Sequence, residues 1–221
     1  MYIFIIKGGG KVEKQKRVAA IHDISGIGKC SLPAAIPVIS AAGIEAAAMP
    51  TAVLSTHTGN IQGYTYRDLT SDLNPIAEHW KNLGITFDGI YSGFLGSTEQ
   101  VDIVCNFIDM FRTENTVVIV DPAMADNGKL YAAFDMDFAK YMATLCAEAD
   151  IIIPNITEAA FMTNSEYKLQ YDEAYIKDLL LKLSDLGSKL VVITGVSFKE
   201  GETGAMAYDK EKDEFIARSM K

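Results

Sequence analysis

The sequence predicts an α/β fold: a mostly parallel central sheet flanked by helices on both faces, closing in an antiparallel C-terminal hairpin. Three observations predict it. Short apolar runs such as Val117-Val118-Ile119-Val120 and Ile151-Ile152-Ile153 recur with little polar alternation, as in strands buried on both faces. Stretches of helical length and periodicity separate them, which is the βαβ rhythm. After Gly204 that rhythm stops, and residues 205–208 and 214–217 flank a charged turn as a hairpin would.

Each element has its own justification. Residues 1–16, three glycines followed by a charged run, read as a leader of unassigned role, and 17–221 as one domain. Residues 18–21 form a first buried strand. A helix over 31–42 follows, with Ser31 as its N-cap, Pro33 near its first turn and Pro37 expected to kink it. Residues 44–49 make a short strand. Asn74-Pro75 opens a helix to Leu83 that Gly84 ends, and 89–91 is a strand. Ser97-Thr98-Glu99-Gln100 has the capping-box spacing and leads a helix to Arg112. Beyond the strand at 117–120 come a helix over 138–146, a strand at 151–153, a helix over 172–186 ended by Gly187, and a strand at 190–193.

Composition excludes several function classes. A chain of 221 residues suits one α/β domain, and 49% hydrophobic with 22% charged residues is a globular balance. A net charge of −9 argues against nucleic acid as a partner, because phosphate backbones require Lys/Arg surfaces. Cys30, Cys105 and Cys146 offer neither zinc spacing nor a disulfide framework, which suits a reducing cytoplasm. No apolar run approaches the length of a membrane span, and Met1–Lys7 is too short for a signal-peptide core.

The chemistry collects where strands end. In open parallel sheets, ligands bind at the carboxyl ends of the strands. The strand at 117–120 runs into Asp121 and Asp126, five apart across a Pro-containing loop, and 151–153 runs into Asn155 and Glu158. Mg²⁺ commonly takes one or two carboxylates and fills its other positions with water and phosphate oxygens, so this edge suits a metal and phosphates. Taken singly, Glu158 could instead be a favourable charge at a helix start. Gly26-Ile27-Gly28-Lys29-Cys30-Ser31 is not a P-loop, since Asp23 stands at the first glycine position and Cys30 follows Lys29. It reads as a ligand loop of another kind beside His22-Asp23. The hydroxyl-rich stretch from Thr51 to Asn60, with His57, serves equally as a plain turn or a ligand loop. Tyr91-Ser92-Gly93-Phe94 suits one wall of a flat-ligand pocket, and Thr194-Gly195-Val196 a phosphate cradle. His22 and His79 carry less signal. No GxSxG elbow supports a serine nucleophile.

Taken together, six segments resemble the pyridoxal kinase branch of the ribokinase-like superfamily, with its Rossmann-like three-layer fold. They are Ile21-His22-Asp23-Ile24-Ser25-Gly26-Ile27-Gly28, Pro50 to Gly59 with its Ser-Thr-His-Thr-Gly, Tyr91-Ser92-Gly93-Phe94, Val120 to Asp126, Pro154-Asn155-Ile156-Thr157-Glu158 and Val192-Ile193-Thr194-Gly195. The resemblance implies ATP-dependent phosphorylation of the 5′-hydroxyl of pyridoxal or a related B6 vitamer, with Mg²⁺, a possible monovalent cation, and a homodimer. It implies that Asp23, Thr51, His57 and Phe94 surround the pyridine ring. Asp121, Asn155, Glu158 and Thr194 would bind the nucleotide, and Asp121, Asp126 and Glu158 the metal. Phe94 stands where this branch usually has Tyr. Asp23 stands where many members have Ser, which leans toward the hydroxymethylpyrimidine kinases. The resemblance further implies a Gly-Thr-Gly-Asp segment at a helix start, supplying an anion hole and a catalytic base. No such segment occurs up to Lys221, so a C-terminal part is expected to be lacking, with the base beyond Lys221. Gly201-Glu202-Thr203-Gly204-Ala205 has no following Asp. The alternatives are a hydroxymethylpyrimidine kinase and a truncated kinase that binds vitamer without transferring phosphate.

Overall fold

The structure, a computed structural model, describes residues 15–58 and 61–221. Residues 1–14 of the leader, and Gly59-Asn60 of the hydroxyl-rich stretch, lie outside the described residues. The elements in chain order are β1 (Arg17–Ser25), α1 (Ser31–Ala41), β2 (Glu45–Leu54), β3 (Tyr66–Asp68), α2 (Thr70–Asn82), β4 (Gly89–Ser92), α3 (Thr98–Phe111), β5 (Val117–Val120), β6 (Ala125–Asp126), β7 (Lys129–Leu130), α4 (Met136–Ala147), β8 (Ile151–Ile152), α5 (Ile156–Met162), α6 (Glu173–Ser184), β9 (Leu190–Val196), β10 (Thr203–Asp209) and β11 (Glu214–Met220).

Among the described residues the main sheet has the order β11-β10-β9-β8-β5-β4-β1-β2-β3. Strands β2, β1, β4, β5, β8 and β9 pair in parallel. β3 closes one edge antiparallel, and β10–β11 form the expected hairpin at the other. From β1 the chain moves one way to β2 through α1. Every later parallel crossover moves the opposite way. With right-handed connections, α1 therefore lies on one face and α2 to α6 on the other. The contacts agree: α1 packs on β1 and β2, while α2 through α6 pack in series.

The larger core lies under that second layer. Phe87, Phe107 and Phe111 pack edge-on and tilted around Trp80. Ile90, Val118, Ile152, Val191 and Ile193 face them from the strands. The alternate residues Tyr91, Ile119, Ile151 and Val192 are only partly buried.

Several element starts differ from expectation. Ser31 is not the cap of α1; it is the first helical residue, at φ +54°, and Cys30 holds the cap position without a side-chain bond. The tight loop before it, with Gly28 and Lys29 also at positive φ, sets that entry. The helix runs on through Pro37, which is exposed, so the carbonyl it leaves unpaired can reach water. α2 begins a turn before Asn74-Pro75, because the Asp68 carboxylate accepts the Thr70 N–H at 2.8 Å. β2 extends through Thr51 to Leu54, part of what composition alone allows as a turn.

The capping box at α3 is half formed. The Ser97 hydroxyl accepts the Gln100 N–H, but the Gln100 side chain accepts from Gly96 instead of Ser97. Gln100 is fully buried, and its amide nitrogen donates to the Thr51 carbonyl (3.0 Å) and the Thr70 hydroxyl (2.9 Å). This one side chain joins the starts of α3 and α2 to β2. Gln100→Leu is expected to cost about 2–4 kcal/mol, since it strands several buried polar groups at once. Chemical denaturation checks this; an unchanged midpoint would show that the amide is dispensable.

Candidate active site

A cavity of about 530 Å³ opens at the carboxyl ends of β1, β4 and β5, beside α1. Among the residues that line it are His22, Asp23, His57, Tyr91, Phe94, Asp121, Asp126 and Tyr131, with Ala34, Ala35, Val38 and Ile39 from α1. Of the sequence-predicted residues, Asp23, His57, Phe94, Asp121 and Asp126 line this cavity. Thr51, Asn155, Glu158 and Thr194 do not.

Two neighbours on β1 reach the same cavity. The β1–β2 register slips between His22 and Ile24, where β2 carries one residue more than β1. The extra residue makes β2 bend here, at the carboxyl end of β1 where both side chains meet the cavity. Asp23 is buried, and one of its oxygens accepts the Ser25 hydroxyl at 2.9 Å. His22 is 3% exposed, and burial pushes its imidazole down to about 4. It is a lining residue to which the sequence reading gives less weight than to Asp23. The loop after β1 folds over the other histidine: Ile27 accepts the His57 N–H, and a Cβ on Gly28 would overlap the His57 ring.

Thr51 acts through Phe94. The Thr51 side chain is fully buried, and its hydroxyl donates to the Phe94 carbonyl at 3.0 Å. The Phe94 ring leans on Phe134 at 5.6 Å, and Phe134 stacks on Phe138 at 4.1 Å. An aromatic wall is thus held from behind by a hydroxyl and by the Gln100 network.

Asn155 and Glu158 form a clip. Asn155 caps α5 by accepting the Thr157 and Glu158 N–H groups, and the Glu158 carboxylate accepts the Asn155 N–H in return at 2.8 Å. Glu158 also accepts the N–H groups of Met124 (2.9 Å) and Ala125 (3.3 Å), and the Asn155 amide donates to the Ala125 carbonyl at 2.7 Å. The clip ties the start of α5 to the loop between Asp121 and Asp126. The reading of Glu158 as a favourable helix-start charge and its reading as a site residue therefore meet in one side chain. Thr194 lies inside β9, exposed and bridged to Asn155.

The electrostatics are those of an anionic site. Burial, opposed by an N–H bond from Ala123, pushes the Asp121 carboxyl up to about 6. Burial and the nearby Asp121 push Glu158 up to about 8, against its three backbone N–H bonds. Burial, together with Glu158, Asp126 and Asp121, pushes the Tyr131 phenol up to about 12. Among the described residues no three His, Cys, Asp or Glu side chains form a ready cluster for a metal ion. Mg²⁺ does not require one, since phosphate and water complete its shell. A half-buried carboxylate that resists ionisation for want of counter-charge fits a cation arriving with phosphates.

The phosphomethylpyrimidine kinase family matches residues 28–220. A Bacteroides thetaiotaomicron protein provisionally assigned as a phosphomethylpyrimidine kinase is similar at 39% identity and TM-score 0.89. The match covers 96% of this chain and 73% of that one. An orthorhombic form described in the same terms contains pyridoxal. Pyridoxal kinase from Lactobacillus plantarum is similar at 29% identity and TM-score 0.83, over 94% of this chain and 73% of that one. Pyridoxal kinase of Dictyostelium discoideum is 29% identical over 119 residues, 53% of this chain but only 38% of that protein's length. No helix among the described residues is long and apolar enough to cross a membrane. With nearly its whole described length matched, the chain belongs to the phosphomethylpyrimidine kinase family, whose members are kinases and hence phosphotransferases.

Proposed function

We propose that this chain holds the ring of pyridoxal or a related B6 vitamer beside Mg·ATP, for transfer of the γ-phosphoryl group to the ring's 5′-hydroxyl. The observation that carries the reading is one cavity lined both by Asp23, His57 and Phe94 and by Asp121 and Asp126. The first three suit a flat, polar-edged ring: Phe94 gives a face, and Asp23 and His57 give hydrogen-bonding edges. Thr51 positions Phe94. Asp121 and Asp126 supply charge for Mg²⁺, with Glu158 holding their loop and adding to the field. Asn155 after β8 and Thr194 within β9, bridged to each other, are the residues proposed to meet the nucleotide phosphates. When bound, Mg²⁺ would supply charge neutralisation for phosphoryl transfer, which depends on positioning and electrostatics. A monovalent cation would be a further, optional addition.

Hydroxymethylpyrimidine is the alternative substrate, supported by the family match and by Asp23. A second reading, binding without transfer, is favoured by a specific observation. Gly201 to Ala205 runs into β10 and not into a helix. It therefore offers no helix-start row of N–H groups, and one such donor to a developing charge is worth about 2.7–4 kcal/mol.

Incubating the purified chain with Mg·ATP and either ring, while measuring binding and phosphorylated product separately, tests all three. Product from pyridoxal in preference supports the first, product from the pyrimidine the alternative, and binding without product the second reading. A homodimer and a cytoplasmic setting are proposed on the resemblance and on three unpaired cysteines; sedimentation velocity showing only monomer would remove the dimer.

A further inference from the structure

We propose that His22 is a specificity-determining residue of this pocket, its Nε2 accepting a hydrogen bond from an O–H or N–H group carried on the ring of the bound substrate. The inference rests on reading the cavity as a ring pocket and deepens that reading by naming a feature the ring must carry.

His22 lines the cavity yet is 3% exposed, and its Nε2 is fully buried without a hydrogen-bond partner among the described residues. A buried side-chain nitrogen left unpaired is uncommon, and it asks for a partner the protein itself does not provide. Neighbours hem the ring in on two sides. Tyr91 packs edge-on against it, with centroids 4.3 Å apart and planes at 71°. On another side the Gly93 backbone lies so close that a Cβ there would overlap Nδ1 and Cε1.

The tautomer follows from the other nitrogen. The imidazole hydrogen-bonds to the backbone of Tyr91. Since Nε2 has no partner, that bond is made by Nδ1, and a ring nitrogen facing a carbonyl must carry the proton. Nε2 of the neutral ring is then a pure acceptor. Burial keeps the ring neutral at physiological pH, because its charged form is disfavoured. The adjacent Asp23 carboxylate is also an acceptor, already taking the Ser25 hydroxyl. This corner of the pocket thus presents acceptors and lacks a donor, so the ligand must bring one. A ring acceptor placed there would meet lone pairs. Both a ring hydroxyl on a pyridine and an exocyclic amine on a pyrimidine satisfy the requirement, and the experiment separates them.

The test is a thermodynamic cycle between the residue and the ring substituent, read as dissociation constants by calorimetry without ATP. One ligand pair is pyridoxine and its analogue lacking the ring hydroxyl. The other is 4-amino-5-hydroxymethyl-2-methylpyrimidine and its analogue lacking the amine. The wild type is expected to prefer the donor-bearing member of one pair by roughly three- to tenfold, the span of a neutral hydrogen bond. His22→Phe should abolish that preference and His22→Gln, which keeps an acceptor, should restore part of it. The pair that shows the coupling identifies the ring class. Each comparison is made on one protein, so a variant that folds less well weakens both ligands alike and leaves the preference readable; His22→Leu replaces the Phe variant if that does not fold. A preference equal in the wild type and both apolar variants would overturn the role of His22. Failure of the wild type to bind any of the four rings would overturn the reading of the pocket, and this proposal with it.

Discussion

Asp121→Asn is expected to abolish Mg·nucleotide binding while making the ligand-free protein more stable. The two effects share one cause. Asp121 sits partly buried at the end of β5 with a single backbone N–H bond at 3.3 Å, so its negative charge is poorly compensated. Its carboxyl is accordingly raised to about 6, chiefly by burial. A carboxyl whose folded pKa lies above its unfolded value contributes stability at low pH that is lost as pH rises through the folded pKa. The window here runs from about 4 to 6, and above it the ionised group weighs on the fold by at most about 3 kcal/mol. Asn keeps the shape and removes the charge. At pH 8 the variant should therefore melt higher than the wild type, and its stability should vary less between pH 4 and 6. The same charge would hold Mg²⁺. Loss of a mere supporting group around a metal costs roughly 10–100-fold in affinity, so loss of the proposed ligand itself should cost at least about 100-fold. Titration with Mg·ATP and thermal melts on one preparation check both halves. Unchanged nucleotide binding would remove Asp121 from the metal site, and a lower melting temperature would show that its charge is compensated in the fold.

Glu158→Ala should act in the opposite direction. The carboxylate is 2% exposed and accepts N–H groups from Asn155, Met124 and Ala125. Removing it strands three donors, with an expected loss of about 3–5 kcal/mol. For a chain of this size that is a fall of roughly 8–15 °C in melting temperature. The Asp121–Asp126 loop would lose its anchor to α5, so nucleotide binding should weaken as well. Glu158→Gln keeps an acceptor for Met124 and Ala125 but turns an amide NH2, itself a donor, toward the Asn155 N–H, and an intermediate loss is expected. Glu158 itself titrates upward, to about 8, through burial and Asp121. With the folded pKa raised, the ligand-free wild type should lose stability as pH climbs from about 4.5 to 8. Saturating Mg²⁺ with nucleotide should reverse that slope by supplying the missing positive charge. A stability that rises with pH over that window, without metal, would contradict the burial argument.

How much of this was legible beforehand varied by element. Val117 to Val120 is a strand in the structure at the bounds the sequence predicts, because four branched apolar residues between turn signals admit little else. The starts of α1 and α2 were not legible. Ser31 and Asn74-Pro75 look like helix openings locally, but a tight loop folded over His57 and a carboxylate on β3 set the real ones. β3 and the small β6–β7 pair were missed for a similar reason: three residues and two residues carry no periodicity.

By itself the sequence determined the fold class, the parallel order of events from β1 to β9 with the closing hairpin, and the gathering of Asp121, Asp126, Asn155 and Glu158 at strand ends. Those follow from local patterns, since apolar runs and the polar residues that stop them are neighbours in the chain. Only the tertiary structure decided what each group does there. It made Asn155 and Glu158 a clip, put Thr51 behind Phe94, gave Gln100 its place joining α2, α3 and β2, and brought His22 to the cavity beside Asp23. These outcomes depend on which strands lie side by side and on burial that shifts each group's chemistry. Apart from the reciprocal cap between Asn155 and Glu158, an i, i+3 pair, none of them is encoded by spacing along the chain.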